Sequence, residues 1–274
     1  MNSLSIVSRL KRKAGRWLGH KQHEIATASA KTTYFEPNNQ WYLPVIAGPS
    51  TFLPHVVGSQ AVRNVIAILD QLSPDPYMEF IRNFYREGLE RFGDGWVYAD
   101  INTVLLGFSK LLQIESYMEI GVRRGRSMAM VASQSPKSQI VGFDMWIQQY
   151  AGMDNPGESL VRSELKRVGY TGNAAFVDGD SKITVPQYFR AHRKSFFDLI
   201  TVDGDHSIAG ARHDLSNVIP RLKVGGVLVF DDISNHSHPG LFELWQKLVG
   251  TNDRFAVYTF NEVGFGVGFA IKKS

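Results

Sequence analysis

The sequence predicts an α/β protein: a seven-stranded, mostly parallel sheet with helices on both faces, an antiparallel strand near the C-terminus, and a helical layer ahead of the sheet. Three observations lead there. From residue 117 onward, short apolar runs alternate with helical patterns, the rhythm of successive βαβ units. Before that come three apolar stripes at helical spacing. The last twenty or so residues read as two strands flanking Asn261-Glu262-Val263-Gly264, a hairpin that places an antiparallel strand in the sheet.

In chain order, Leu4, Val7, Leu10, Ala14, Trp17 and Leu18 share one face of a helix whose other side is cationic. Such a helix docks on protein or lies on an anionic membrane surface. Residues 20–58 carry Pro37, Pro44, Pro49 and Pro54 without sustained periodicity and read as an extended arm, which hints at a homo-oligomer. The helical stripes follow: Val62 to Leu72, Met78 to Phe92, and Ile101 to Leu112, the first two parted by Ser73-Pro74-Asp75-Pro76. Asp100 and Asn102 are placed to cap the third helix or to face a ligand. Strands are expected at 117–121, 139–143, 174–177, 198–202, 227–230, 254–260 and 265–271, with helices near 126–134, 157–168, 183–193, 207–222 and 239–249. The chain therefore divides into a basic N-terminal segment and arm (1–58), a helical layer that would select a substrate (59–113) and a nucleotide-fold domain (114–274).

Composition narrows the function classes. The chain has 274 residues, 43% hydrophobic, and no cysteine, which excludes disulfides, a thiolate nucleophile and cysteine-bound metal. Its net charge of +4 is local: Arg9, Lys11, Arg12, Lys13, Arg16 and Lys21 occur with no acid among residues 1–23, leaving 24 basic against 26 acidic residues beyond them. A nucleic-acid footprint on the folded part is not supported. With no secretory pattern and no apolar run near 20 residues, a cytoplasmic location is expected, membrane-peripheral if residues 4–18 lie on lipid.

In an open α/β sheet a ligand binds beyond the carboxyl ends of the strands. Here acids mark every such end: Glu119 beside Gly121, then Asp144, Asp180 with Ser181, Asp203 before Asp205-His206, and Asp231-Asp232. Crowded carboxylates repel unless a cation or a set of hydroxyls receives them. Asp144, 23 residues after Gly121, suits a ribose-binding acid. The turn itself is G-x-x-x-G, without the glycines that seat a pyrophosphate, so an adenosine ligand lacking one is expected. Arg123 and Arg124 in that turn read more readily as solvated side chains than as phosphate ligands.

The stretches E-I-G-V-R-R-G-R-S, G-F-D-M-W and V-D-G-D-S resemble the glycine, ribose and adenine-edge motifs of class I S-adenosylmethionine-dependent methyltransferases, a Rossmann-like fold. F-D-L-I-T-V-D-G-D-H-S followed by V-G-G-V-L-V-F-D-D-I is similar to the branch of macrocin-type sugar O-methyltransferases and cephalosporin-hydroxylase-like proteins. The resemblance implies that Glu119, Gly121, Gly125 and Ser127 hold the methionine portion of S-adenosylmethionine, Asp144 and Met145 the ribose region, Asp180 and Ser181 the adenine edge, and that Asp203 lies near the sulfonium. It also implies a divalent cation, magnesium or calcium, on Asp203, Asp231 and Asp232. Without a metal, His206 is the first choice of base, followed by His236 and His238. The acceptor would be a small-molecule or glycoconjugate hydroxyl, with Trp41, Tyr42, Trp96, Tyr98, Trp146 and Tyr150 as candidate wall residues. A nicotinamide-dependent oxidoreductase and a non-catalytic adenosyl-binding protein remain as alternatives at this stage.

Overall fold

The computed structural model describes residues 48–274; the basic segment 4–18, Trp41 and Tyr42 lie outside the described residues. Seven strands form one sheet in the order β3-β2-β1-β4-β5-β7-β6, with β1 at Ser116–Ile120, β2 at Gln139–Asp144, β3 at Asn173–Asp178, β4 at Phe197–Val202, β5 at Leu222–Asp231, β6 at Phe255–Phe260 and β7 at Val267–Lys272. The first five pair in parallel, and β7 runs antiparallel to both neighbours, as the terminal hairpin predicts.

Alternation along each strand divides the core in two. On β5, Val227 and Val229 face one side, and Leu228 and Phe230 the other. The first side receives the helices α1 (Pro49–Val56), α2 (Ser59–Leu69), α3 (Pro76–Phe92), α4 (Ile101–Leu111), α5 (Arg126–Gln134) and α6 (Glu158–Arg167), in one continuous apolar cluster. The helical layer 59–113 thus shares a core with the sheet. The opposite side is covered by α7 (Ser181–Ala191), α8 (Ile208–Val218) and α9 (Leu241–Trp245), the last continuing as a π turn over Gln246–Gly250. Trp245 is fully buried against Phe230, the rings stacked at 5.9 Å.

Two expectations need correction. The end of the predicted arm is the helix α1, not extended chain: Pro49 takes a first-turn position where its missing N–H costs nothing, and Phe52 and Val56 are fully buried. Phe52 meets Phe108 at 5.2 Å and Tyr258 at 4.8 Å. Second, Thr51–Leu69 has the length and mean hydropathy, 1.2, of a membrane-crossing helix. The run is interrupted at Val57-Gly58, where Gly58 has φ +98°, and Val62, Val65 and Leu69 are buried in the protein core.

Capping explains the helix starts. Asp75 accepts from the backbone N–H groups of Tyr77 and Met78, both at 3.0 Å, and begins α3. Asp100 forms a reciprocal capping box with Thr103 at α4, so of the pair Asp100 and Asn102 the first is a cap. Replacing Phe52 with alanine is expected to cost about 3–5 kcal/mol of stability, read from a lowered urea midpoint at unchanged slope. A loss below about 1 kcal/mol would mean that α1 is not docked as described.

Candidate active site

The strand order places the exits of β1 and β4 side by side at the switch point of the sheet. They approach so closely that a Cβ on Gly121, at φ +91°, would lie 1.8 Å from the carbonyl oxygen of Asp203. Only glycine fits. Gly125, at φ +73°, closes the turn and caps α5, with Val161 against the position a Cβ would take.

Above these exits lies a cavity of about 1200 Å³. Of the residues expected at a cofactor, Gly121, Ser127, Asp144, Met145, Asp180, Ser181 and Asp203 line it, as do His206, Asp231 and Asp232. Glu119 and Gly125 do not. Glu119 lies within β1 rather than beyond it, on the same face as Tyr117, and is fully buried. Its carboxyl accepts from the Tyr117 hydroxyl at 2.6 Å and from Ser127. Burial pushes it up to about 8, against the pull of those two hydroxyls, and the charges of Asp203 and Asp144 add to the rise. Glu119 therefore lies beneath the cavity floor, joined to its wall by Ser127.

Asp144 is held by the backbone. One oxygen accepts from the N–H of Arg123 at 2.7 Å and the other from the N–H of Trp146 at 2.6 Å, both residues being in the left-handed region. The lone pairs that remain are free for a ligand's paired hydroxyls. At the adenine-edge position Asp180 caps α7 through the N–H of Lys182, 2.9 Å away.

The arginines of the turn are not solvated as expected. Arg124 and Arg126 both pair with Asp75, at 3.0 and 3.1 Å, with about a tenth of each side chain exposed. Arg126 also lies over the Tyr77 ring at 4.9 Å, and Arg123 sits between Tyr77 and Tyr150 at 5.6 and 5.4 Å. The loop that starts α3 is thereby tied to the glycine turn.

At the centre stands His206. Its Nε2 is 3.2 Å from Asp203 Oδ1 and 3.4 Å from Asp232 Oδ2, and its ring stacks on His238 at 4.7 Å. Burial favours the neutral ring, but the hydrogen bond and charge of Asp203, with Asp232 and Asp205 beyond, outweigh it and raise the imidazole above its ordinary value. Asp232 adopts φ +60°, a conformation rare for aspartate, and is held by Asn235 Nδ2 at 2.9 Å. Asp231 is driven well above the usual carboxylate range by burial and then by the charges of Asp203 and Asp232. His236 is exposed and off the wall.

This donor set does not fit the expected magnesium or calcium. Asp203 and Asp232 both turn toward the imidazole, and the donor atoms that converge, within 4.8 Å of one another, are those of His206, Asp232 and His238. A hard ion takes a shell of oxygens, which an imidazole at the focus does not provide.

Several wall residues carried no sequence signal. Tyr77 is one: burial first, then the charges of Asp231, Asp203 and Asp232, against the pull of Arg126, push its phenol up to about 12. Ile81, Ile101 and Phe265 are others, whereas Asn102, named from the sequence as a cap or a ligand-facing residue, is on the wall. Of the candidate aromatics, Tyr150 lines the cavity, whereas Trp96 and Tyr98 stack on each other at 5.0 Å in the core and Trp146 packs on Phe176.

Because Glu119 binds a proton more tightly folded than unfolded, its contribution is present below its ordinary value near 4.5 and is lost as pH rises toward about 8. Glu119→Gln, which keeps a hydrogen-bonding amide in place, should lose less stability than the parent between those two values. Parallel pH dependence of chemical denaturation in the two proteins would contradict this.

Residues 118–233 match the family model described as a methyltransferase domain. No curated protein matches the sequence. Among solved structures, the chain is similar to the O-methyltransferase TomG from Streptomyces achromogenes, at 18% identity and TM-score 0.52, over 74% of this chain and 92% of that one. It is similar to a putative O-methyltransferase from Klebsiella pneumoniae at 19% and 0.51, over 79% and 99%, and to cofactor-bound Rv0187 from MTB at 18% and 0.51, over 78% and 90%. The fold is theirs. The glycine turn, the fixed Asp144 and the acids that follow the strands all lie inside the segment that matches the methyltransferase-domain model.

Proposed function

We propose that this protein methylates a hydroxyl oxygen of a small molecule or sugar, with His206 removing the proton. The observation that carries this reading is the pair Asp203–His206 on the wall of the same cavity as the glycine turn and Asp144. TomG and the Klebsiella protein bear O-methyltransferase names, and the sugar branch is favoured by the sequence from Phe197 to Ile233.

S-adenosylmethionine, when bound, supplies a methyl group on a positively charged sulfur. The chain's own residues do the rest. Asp144, locked by two backbone N–H groups, orients the nucleoside, while Ser127, anchored by Glu119, and the glycine turn bound the opposite end. Such positioning accounts for much of the acceleration in a displacement reaction. Asp203 holds an N–H at His206 Nε2, which leaves Nδ1 as the atom that accepts a proton. Asp203 and Asp232 then stabilise the imidazolium that forms, in the manner of an acid behind a histidine base. Stacking on His238 fixes the plane of the ring.

Calorimetry with S-adenosylhomocysteine tests the cofactor: saturable binding is expected, weakened by Asp144→Ala by about tenfold or more. His206→Asn should leave that affinity unchanged and lower the rate on any accepted hydroxyl by about 10²-fold or more. In the parent enzyme the rate should rise with pH through a value above 6.5, since the raised imidazole must lose its proton to act. No heat of binding, or a His206→Asn enzyme of full activity, would contradict the proposal.

A further inference from the structure

Parallel strands give the sheet two unlike edges, and the edge where the chain enters β1 to β5 lies opposite the acid-marked exits. Hydrogen bonds join the entering segments into one surface. The Thr171 N–H donates to the Pro136 carbonyl and the Gln139 N–H to that of Glu115, both at 2.8 Å. The Ser116 hydroxyl donates to the Phe196 carbonyl at 3.1 Å, and Arg221 Nη1 to the Arg193 carbonyl at 2.8 Å. Lys110, Lys137, Lys166 and Lys194 are exposed on these segments or in the helix turns that lead to them. Of the acids here, Glu115 is exposed, and Asp198 is taken up by Lys223 at 2.7 Å and the Ser116 N–H at 2.9 Å. The near-neutral charge of the folded part therefore conceals an acidic edge and a basic one.

On the basic edge, between the C-terminal ends of α7 and α8, lies a groove of about 630 Å³. Arg190, Arg193 and Arg221 line it together with Ser216 and Asn217, and its lining includes no carboxylate. Among the described residues, none of the three guanidiniums forms an ion pair. Their local partners are neutral. Arg193 Nε donates to the Arg190 carbonyl at 3.4 Å, and Arg221, besides its bond to the Arg193 carbonyl, lies over the Phe189 ring at 4.6 Å and the Phe196 ring at 5.8 Å. A guanidinium has five N–H groups, so donors remain on each after these contacts. Bases near helix C-termini answer the macrodipole, which places about half a negative charge at each end. Two helix ends thus account for about one of the three positive charges and leave about two over.

We infer that this groove is a binding site for a phosphate group, carried either by a lipid headgroup or by a soluble phosphate compound. Three planar guanidiniums lining one concavity suit phosphate oxygens, which they can receive in pairs, and Ser216 adds an exposed hydroxyl donor. Aromatic rings on Arg221 hold its fork in place before any ligand arrives. The lysines around the groove raise the local concentration of anions and speed their encounter with it. Because the groove lies on the other edge of the sheet from the candidate active site, the inference does not depend on the methyltransferase reading.

The test uses the full chain in two arms at low ionic strength. Pyrophosphate is titrated calorimetrically in chelator-treated buffer, and co-sedimentation is measured with phosphatidylcholine vesicles that contain or lack phosphatidylglycerol. Binding to pyrophosphate identifies a soluble phosphate compound as the source, and binding only to the phosphatidylglycerol vesicles identifies a lipid. In whichever arm binds, Arg190→Glu combined with Arg193→Glu, both exposed positions, should weaken the interaction at least about tenfold. Arg86→Glu, an equal change of charge per residue on α3, should leave it nearly unchanged. Arg190→Gln with Arg193→Gln removes the charges without adding acids and replaces the first pair if that pair lowers the urea midpoint. Absence of binding in both arms overturns the inference. So does binding that survives the double substitution, which would put the anion on residues 1–23 or elsewhere, and so does an equal loss in Arg86→Glu.

Discussion

The contact on which the molecule depends is backbone against backbone: the Cα of Gly121 against the carbonyl of Asp203, where β1 and β4 leave the sheet. Any side chain at residue 121 would collide with that carbonyl at 1.8 Å. Because the two exits meet this closely, the crevice they open is narrow at its floor and everything that follows each strand is brought to one rim. Asp144 is reached from the neighbouring β2 and Asp231 from the neighbouring β5. A wider separation would leave the same residues facing water singly, as ordinary caps and surface acids.

Gathering carboxylates in this way opposes folding unless each is answered, and the structure answers them unequally. Asp75, Asp144 and Asp205 are satisfied locally, by arginines, by backbone N–H groups, and by Lys182 with Ser207 respectively. Asp205 accordingly drops to about 2, the hydrogen bonds and charge of Lys182 and Ser207 overcoming the cost of burial. Asp203 and Asp232 share His206, Asn235 holds Asp232, and burial drives Asp231 and Asp203 upward. Unequal satisfaction separates the positions that hold structure from those that meet a ligand. Glu119 belongs with the first kind despite its raised value, because two hydroxyls already occupy it.

Much of the fold was legible in the sequence because buried parallel strands are apolar runs with sharp ends, and the residue after each run falls where a ligand binds. That Gly121, Asp144 and Asp180 line one cavity was legible for the same reason: they are punctuation marks as well as side chains. Glu119 was expected at the ligand although it falls inside the predicted strand, and a strand-interior side chain lies beneath the floor rather than on the wall. The helix α1 was obscured by its two prolines, though Phe52 and Val56, four apart, were its available signal. The part of the wall that α3 and α4 supply could not be read, because a helical stripe shows which face is buried but not what it is buried against. Tyr77, Ile81 and Ile101 look like any core residues until α3 and α4 are set against the strand ends. His238, six residues beyond Asp232 in an irregular loop, was named among the candidate bases, but no local pattern records that it stacks on His206.

In the proposed function the rim of acids grips one nucleoside in one orientation, with its sulfur toward His206. A crystal structure of the chain with S-adenosylhomocysteine measures this directly. The expected density has the ribose hydroxyls on Asp144, the adenine against Asp180 and Ser181, and the sulfur between Gly121 and the Asp203–His206 pair. Density for the ligand in another crevice, or in this one with the adenine at Ile101 and the sulfur remote from His206, would contradict it.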